Sequence, residues 1–223
     1  MLALWASAAA LLLLFIAGIV WAVFGERPGD GLPYAARSYE LPGRATGKTQ
    51  RAEEFAGIET LTRAAEEGDR ESQYELAMRL FEKSAATRDL TTRDSSLRWL
   101  REAASGGYAP AQTVLGDRYI NGRGVIQDFA RAADWYLKAA EQGEASAMYS
   151  LGRMARSGRG VRESAVEAYV WLNVAAARGE ERADEIRNQV MSALSAEQLS
   201  DAQARARELD EEIPQLVVDQ GVR

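Results

Sequence analysis

Apolar residues follow two different patterns along this chain. The first 25 residues are apolar or small and include no charged residue, and Glu26 and Arg27 end the segment. From about residue 49 onward, Ala, Leu, Tyr and Trp recur every three or four residues, and glycines interrupt the pattern at intervals. This spacing predicts amphipathic helices, and the scarcity of β-branched runs argues against strands. We expect an all-α protein.

The segment at residues 1–25 is long enough to cross a hydrocarbon core of roughly 30 Å as a helix. Trp5 and Trp21 lie near its ends, where indole rings favour the lipid headgroups. We therefore predict an uncleaved transmembrane helix. The alternative is a cleaved secretory signal, with Leu11–Leu14 as its apolar centre and residues 20–22 before the cleavage site, but no basic residue precedes that centre.

Residues 26–48 separate this segment from the helical region. They contain Pro28, Pro33 and Pro42 together with several glycines, a composition that interrupts helices. We predict a polar, extended linker that lets the helical region contact partners at a distance from the apolar segment.

The helical region contains a repeat of 36 residues. Residues 109–143 align with residues 145–179 without a gap, which is the signature of a repeat architecture. The residues of the first segment that recur in the second are Leu115, Gly116, Gly122, Gly124, Val125, Ala132, Trp135, Ala139, Ala140 and Gly143. The predicted boundaries are a half-repeat helix at 49–68 and repeats at 69–107, 108–143 and 144–179.

Each repeat is predicted to form two short helices. Gly143 and Gly179 follow the second helix, where a left-handed C-terminal cap favours glycine. Trp135 and Trp171 lie on second helices, and we expect them to fill the core between layers. The first copy lacks the Gly-x-Gly of the others and aligns over its first half at an offset of 39, so we expect its loop to be three residues longer.

The period fades after residue 179, yet residues 180–212 keep a helical pattern. Ser195 and Gln198 have the spacing of a capping box, which predicts the start of a second helix in this region. We expect two capping helices that close the stack with a polar outer face. Pro214 stops the helix, and residues 213–223 form a tail.

These repeats resemble the Sel-one-like repeat (SLR) proteins, a branch of the tetratricopeptide-like solenoids. The resemblance is carried by A-x-x-x-L-G-x-x-Y at Ala111–Tyr119, G-x-G-V at Gly122–Val125, and A-x-x-W-x-x-x-A-A-x-x-G at Ala132–Gly143. It covers roughly residues 60–180. It implies a right-handed α/α superhelical solenoid with a concave groove, here preceded by one N-terminal transmembrane helix, and a scaffold, adaptor or assembly role.

The resemblance also implies which residues of the first helices face the groove. They are Tyr74, Met78 and Phe81 in the first copy, Thr113, Asp117 and Ile120 in the second, and Tyr149, Arg153 and Arg156 in the third. The groove then changes from apolar to polar and basic. We expect it to bind a peptide with an apolar anchor and an acidic group. The alternative is that Phe81 and Ile120 pack on neighbouring loops and Arg153 pairs with a glutamate.

The composition excludes most catalytic chemistry. The chain has no His and no Cys, so imidazole bases, thiolate nucleophiles and most transition-metal sites are absent. We expect no cofactor, no metal and no small-molecule substrate. A net charge of −6 without a basic cluster argues against nucleic acid as a partner. A hydrolase of the cell envelope on a repeat scaffold is the alternative, although no Ser-Lys pair supports it.

We therefore predict a non-catalytic interaction scaffold, an accessory or assembly subunit of a membrane protein complex that uses both the groove and the transmembrane helix. Arg27, Arg37 and Arg44 follow the apolar segment and favour a cytoplasmic repeat domain by the positive-inside tendency. The resemblance favours the periplasmic side of a bacterial inner membrane, with a single-pass anchor. We expect the periplasmic side and leave the cytoplasmic side open.

Overall fold

The computed structural model describes the backbone of residues 47–213 and the side chains of residues 57–213. This part of the chain is helical and contains no strand. Its helices are α1 (Gly47–Glu66), α2 (Arg70–Thr87), α3 (Leu90–Ser105), α4 (Ala109–Asn121), α5 (Phe129–Ala140), α6 (Ala145–Ser157), α7 (Ala165–Ala177), α8 (Arg182–Met191) and α9 (Ala196–Glu212). The predicted transmembrane helix, the linker before Gly47 and the tail after Ile213 lie outside the described residues.

Each helix packs against the next one along the chain, and α9 returns to pack against α7. The pairs α2–α3, α4–α5 and α6–α7 are the three predicted repeats, with α1 before them and α8 and α9 after them. The all-α solenoid expected from the sequence is thus confirmed for residues 47–213. None of the described helices has the length and apolar character that crossing a membrane requires.

Short connections make consecutive helices antiparallel, so the connections lie at two opposite edges of the solenoid. We call the edge that joins α2 to α3, α4 to α5 and α6 to α7 the loop edge. The edge that joins one repeat to the next is the turn edge. Because α1 enters α2 through the turn at residues 67–69, α1 begins at the loop edge.

Glycines end the second helices, as predicted. Gly143 and Gly179 have φ angles of 93° and 91°, in the left-handed region. The N–H of Glu144 donates to the carbonyl oxygen of Ala139 at 3.1 Å, which reaches back across the helix end. The same arrangement recurs at Gly68 and Gly107. These bonds satisfy carbonyl groups at the helix end and turn the chain into the next repeat.

Glycines within the first helices allow the paired helices to approach closely. A Cβ atom on Gly116 would lie 2.7 Å from the Tyr136 ring, and one on Gly152 would lie 2.6 Å from Cγ of Leu172. Real Cβ atoms essentially never come so near, so these positions require the absence of a side chain. The large side chain of the second helix then fills the space above the glycine.

The core aromatic of the second repeat is Tyr136. Its side chain is 2% exposed, whereas Trp135 and Trp171 are half-buried and pack on the edges of the two buried clusters. Lys138 Nζ lies 4.3 Å from the centroid of the Trp135 ring. The expectation that these two tryptophans fill the core is therefore too strong.

The prediction of a longer loop in the first repeat is wrong. Helix α2 continues to Thr87, and only Arg88 and Asp89 separate it from α3. No glycine interrupts the helix, so the chain stays helical until Arg88 adopts a left-handed conformation with φ of 57°. Asp89 then caps α3 by accepting from the Thr91 N–H at 3.0 Å.

The C-terminal helices close the stack. Ser195 and Gln198 form the predicted capping box, with the Gln198 N–H donating to Ser195 Oγ at 3.2 Å and the Ser195 N–H donating to Gln198 Oε1 at 3.0 Å. Arg178 joins α7 to the end of α9 by donating to Asp210 Oδ1 at 2.8 Å and to the carbonyl oxygen of Ile213 at 2.8 Å.

Candidate protein-binding face

The first helices α2, α4, α6 and α8 lie side by side, and we call their shared outer surface the first-helix face. Contacts between neighbouring helices define it: the Arg118 guanidinium lies 3.5 Å from the centroid of the Phe81 ring, and Arg156 donates to Gln189 Oε1 at 3.0 Å. All the groove residues predicted from the sequence lie on α2, α4 or α6. Their surroundings differ from one repeat to the next.

Side chains of the first repeat are half-buried. The Tyr74 ring packs on the Tyr108 ring with 5.4 Å between centroids, and Met78 packs on the adjacent buried cluster. Phe81 lies beneath Arg118, whose side chain is only 6% exposed. Burial lowers the pKa of Arg118 to about 10, so its guanidinium remains charged at neutral pH. This end of the face is apolar and carries one buried cation.

The second repeat contains a buried polar pair. The hydroxyl of Tyr136 donates to Asp117 Oδ1 at 2.6 Å. Burial raises the pKa of the Asp117 carboxyl, while the Tyr136 hydroxyl and the charges of Arg118, Arg182 and Arg153 act against this rise. Burial and the neighbouring carboxylate also raise the pKa of the Tyr136 hydroxyl.

The other two predicted groove residues of the second repeat, Thr113 and Ile120, make contacts within the solenoid itself. Thr113 is buried, and its hydroxyl donates to the carbonyl oxygen of Ala109 at 3.2 Å. Ile120 is half-buried and packs against the larger buried cluster. Its place in the groove stays a prediction.

The third repeat exposes guanidinium groups around a tyrosine. Tyr149 is buried, and the guanidinium carbons of Arg153 and Arg182 lie 5.6 Å and 4.6 Å from its ring centroid. Arg153 and Arg156 are both exposed. Glu180 holds Arg182 by two hydrogen bonds of 2.7 Å. The side chains of this end can therefore offer N–H donors to an acidic group.

Sequence reasoning missed Arg118, Tyr136 and Arg182. Tyr136 follows Trp135 directly, and only the structure shows that Tyr136, and not Trp135, lies opposite Gly116. Arg182 lies in the first turn of α8, beyond the last recognisable repeat, and no sequence spacing connects it to Tyr149. Within residues 57–213, no group of three or more acidic, His or Cys side chains could hold a metal ion.

The Sel1 repeat family model matches this chain in four overlapping segments. They are residues 63–89, 70–108, 109–144 and 145–180. The last three segments begin one residue after the repeat boundaries predicted from the sequence. No functionally curated protein matches the chain at a significant level.

Two solved structures are similar to this chain. One is a protective antigen present in uropathogenic Escherichia coli strains that displays an SLR fold; it is 31% identical over 70% of this chain, with a TM-score of 0.64. This chain spans only 33% of the length of that antigen. The other is a Sel1 repeat protein from Oxalobacter formigenes, 37% identical over 59% of this chain and 97% of its own length, with a TM-score of 0.54.

Proposed function

We propose that this chain, which belongs to the Sel1 repeat family, is a scaffold that holds a partner protein on its first-helix face. Sel1 repeat proteins typically mediate protein–protein interactions, and their fold is generally non-catalytic. The absence of His and Cys from the sequence agrees with a scaffold role. We further propose that the partner belongs to a membrane complex of which this chain is an accessory or assembly subunit.

One observation carries the binding proposal: the two ends of the first-helix face have different chemistry. Half-buried Tyr74, Met78 and Phe81 supply apolar surface at one end. Exposed Arg153 and Arg156 supply charged donors at the other end. A partner segment with an apolar anchor and a carboxylate would satisfy both ends and could bind in only one direction, because reversing it would leave the charge on apolar surface.

The sequence before Gly47 supports the membrane part of the proposal. Residues 1–25 have the length and composition of a bilayer span, and the linker that follows would let the solenoid reach a neighbouring subunit. We propose a single-pass anchor in a bacterial inner membrane with the solenoid on the periplasmic side. Labelling of a Gly31→Cys variant in intact cells with a membrane-impermeant thiol reagent tests that side, since the native chain has no Cys.

Affinity purification of the full chain in mild detergent tests the partner proposal. We expect a membrane protein to co-purify, and Arg153→Glu to reduce its yield because the new carboxylate repels an acidic group. Arg207→Glu is the matched control, since Arg207 is an exposed arginine of α9 outside the first-helix face. Equal losses with both variants, or no loss with either, would show that the third-repeat end is not the contact.

A further inference from the structure

The loop edge carries two exposed aliphatic side chains at equivalent positions. Leu90 is 60% exposed and Ile126 is 90% exposed. Each lies nine residues before the tryptophan of its second helix, Trp99 or Trp135. Single exposed apolar residues are ordinary on protein surfaces. Leu90 is the first residue of α3, and Ile126 lies two residues before Asp128, which caps α5, so both apolar side chains lie on the loop edge.

Contacts between repeats make the loop edge a continuous strip. The connection from α4 to α5 lies against α3, because a Cβ atom on Gly124 would be 2.6 Å from Cδ1 of Leu97. The connection from α6 to α7 lies against the start of α5, where Gly160 leaves no room for a Cβ atom beside the carbonyl oxygen of Phe129. Each connection therefore rests on the second helix of the preceding repeat.

Arginines accompany the exposed aliphatic residues on this edge. They are Arg88, Arg93, Arg123, Arg131, Arg159 and Arg162. Acidic residues occur there too, namely Asp89, Asp94, Asp128 and Glu163. Arg131 pairs with Asp128 at 3.2 Å and Arg93 pairs with Asp94 at 3.7 Å. The exposed Arg88, Arg123 and Arg162 are therefore the main cations that this edge can offer.

The turn edge carries more acidic than basic residues; its arginines include Arg178 and Arg182, which pair with Asp210 and Glu180. The acidic residues at its connections are Glu66, Glu67, Asp69, Glu141, Glu144, Glu180 and Glu181. The chain as a whole carries a net charge of −6. An arginine-rich edge with exposed aliphatic side chains on an acidic protein fits an anionic surface better than a neutral one.

The direction of the chain favours a bilayer as that surface. Helix α1 begins with Gly47 at the loop edge, so the preceding part of the sequence is connected to the solenoid at this edge. The apolar segment ends at residue 25, and only the 21 residues 26–46 separate it from Gly47 along the chain. The membrane anchor proposed above is thus joined to the solenoid at the loop edge, and this connection favours a bilayer over a protein as the surface that this edge meets.

We propose that the loop edge docks on an anionic phospholipid bilayer. Leu90 and Ile126 enter the headgroup region, and the neighbouring arginines contact lipid phosphates while their stems lie on apolar surface. The turn edge then points away from the membrane. The first-helix face stays accessible to a partner in this arrangement. The proposal rests on the membrane anchor proposed above, but not on the proposed partner.

Site-specific fluorescence of the full chain tests the proposal. An Ile126→Cys variant labelled with the environment-sensitive dye NBD is mixed with phosphatidylcholine vesicles that either contain or lack phosphatidylglycerol. Glu141→Cys, an exposed position of the turn edge, is the matched control. We expect a blue shift and quenching by nitroxide lipids at position 126 only, stronger with phosphatidylglycerol and weaker at high salt.

Two further variants separate a charge effect from proximity to the anchor. Arg123→Glu and Arg162→Glu, each combined with Ile126→Cys, should reduce the quenching by phosphatidylglycerol vesicles, and an unchanged circular dichroism melt shows that they fold. Flotation of the full chain with phosphatidylcholine vesicles tests the anchor separately. In samples that float, equal quenching at positions 126 and 141, or none at position 126, would overturn the docking proposal. A blue shift that appears only when bacterial membrane proteins are added would also overturn it, since the occupant would then be a protein.

Discussion

The first and third repeats pack in the same way but differ in both their connections and their exposed chemistry. In the first repeat α2 runs to Thr87, and two residues lead to α3. In the third repeat α6 ends at Ser157, and a seven-residue connection that contains Gly158 and Gly160 leads to α7. Both repeats nevertheless pair their helices closely. The helix pairing therefore maintains the stack, and the connection can vary.

The same two repeats place different side chains on the first-helix face. Phe81 is half-buried, with a buried arginine over its ring, whereas Arg153 of the third repeat is exposed beside Tyr149. A solenoid stacks helices through their core-facing residues alone, so its outward positions can change without loss of the fold. This freedom allows one face to present apolar contact at one end and charge at the other.

The largest effect is expected at the third-repeat connection. Gly160→Ala should lower the free energy of unfolding by about 2 to 4 kcal/mol, because the left-handed φ of 74° penalises a side chain and the new Cβ atom would overlap the Phe129 carbonyl. Urea unfolding followed by circular dichroism measures the loss. A change below about 0.5 kcal/mol would mean that the connection does not lie against α5.

Arg88→Gly is the control in the first repeat. Arg88 already has a left-handed φ of 57°, and glycine removes that strain while making the unfolded chain more flexible. The two effects oppose each other, so we expect a change of less than about 0.5 kcal/mol. A large loss would show that the Arg88 side chain stabilises the short connection.

Partner binding should depend most on the apolar end. Phe81→Ala is expected to weaken binding by about 2 kcal/mol, or roughly 30-fold, because interface energy concentrates in large apolar anchors. Quantitative co-purification measures this, with the melting temperature of each variant recorded because Phe81 supports Arg118. Leu137→Ala removes a 41% exposed leucine from α5 and should have no effect. Unchanged binding by the Tyr74, Met78 and Phe81 variants would exclude the first-helix face.

The third-repeat end, with Arg153 and Arg156, should contribute less to the binding free energy, and its contribution should fall as the salt concentration rises. Arg153→Ala or Arg156→Ala is expected to cost about 0.5 to 1 kcal/mol of binding at low salt and little at high salt, since exposed charges are screened. Arg153→Lys keeps the charge and should retain most of the low-salt affinity. A loss that is independent of salt would point instead to a packing role against Tyr149.

The smallest effect concerns Asp117, which lies between the two ends. Burial raises the pKa of its carboxyl above the usual 3.8, so the charged form costs stability above the folded-state pKa. That cost disappears as the pH falls through the raised pKa towards the unfolded value. Asp117→Asn stays neutral and can still accept from Tyr136, so it should raise the melting temperature at neutral pH but not near pH 4. A difference that does not vary with pH would contradict this.

Local features of the fold could be predicted from the sequence with good accuracy. The capping box at Ser195 and the glycine caps at Gly143 and Gly179 depend on residues within one turn of each other, so their spacing is visible in the sequence. The 36-residue period likewise identified the helix pairs and the family. The connection of the first repeat was predicted wrongly, because an alignment offset records extra residues but not whether they extend a loop or a helix.

The sequence by itself determined the helices, their pairing and the absence of imidazole and thiol chemistry, since these follow from periodicity, caps and composition. Only the tertiary structure decided which side chains meet across repeats. It covers Phe81 with Arg118, brings Arg182 of a capping helix beside Tyr149, and buries Tyr136 where Trp135 stays half exposed. These contacts depend on the rotation of each helix about its axis and on the distance to its neighbour. Small residues such as Gly116 set that distance, although they are far along the chain from the side chains that they contact.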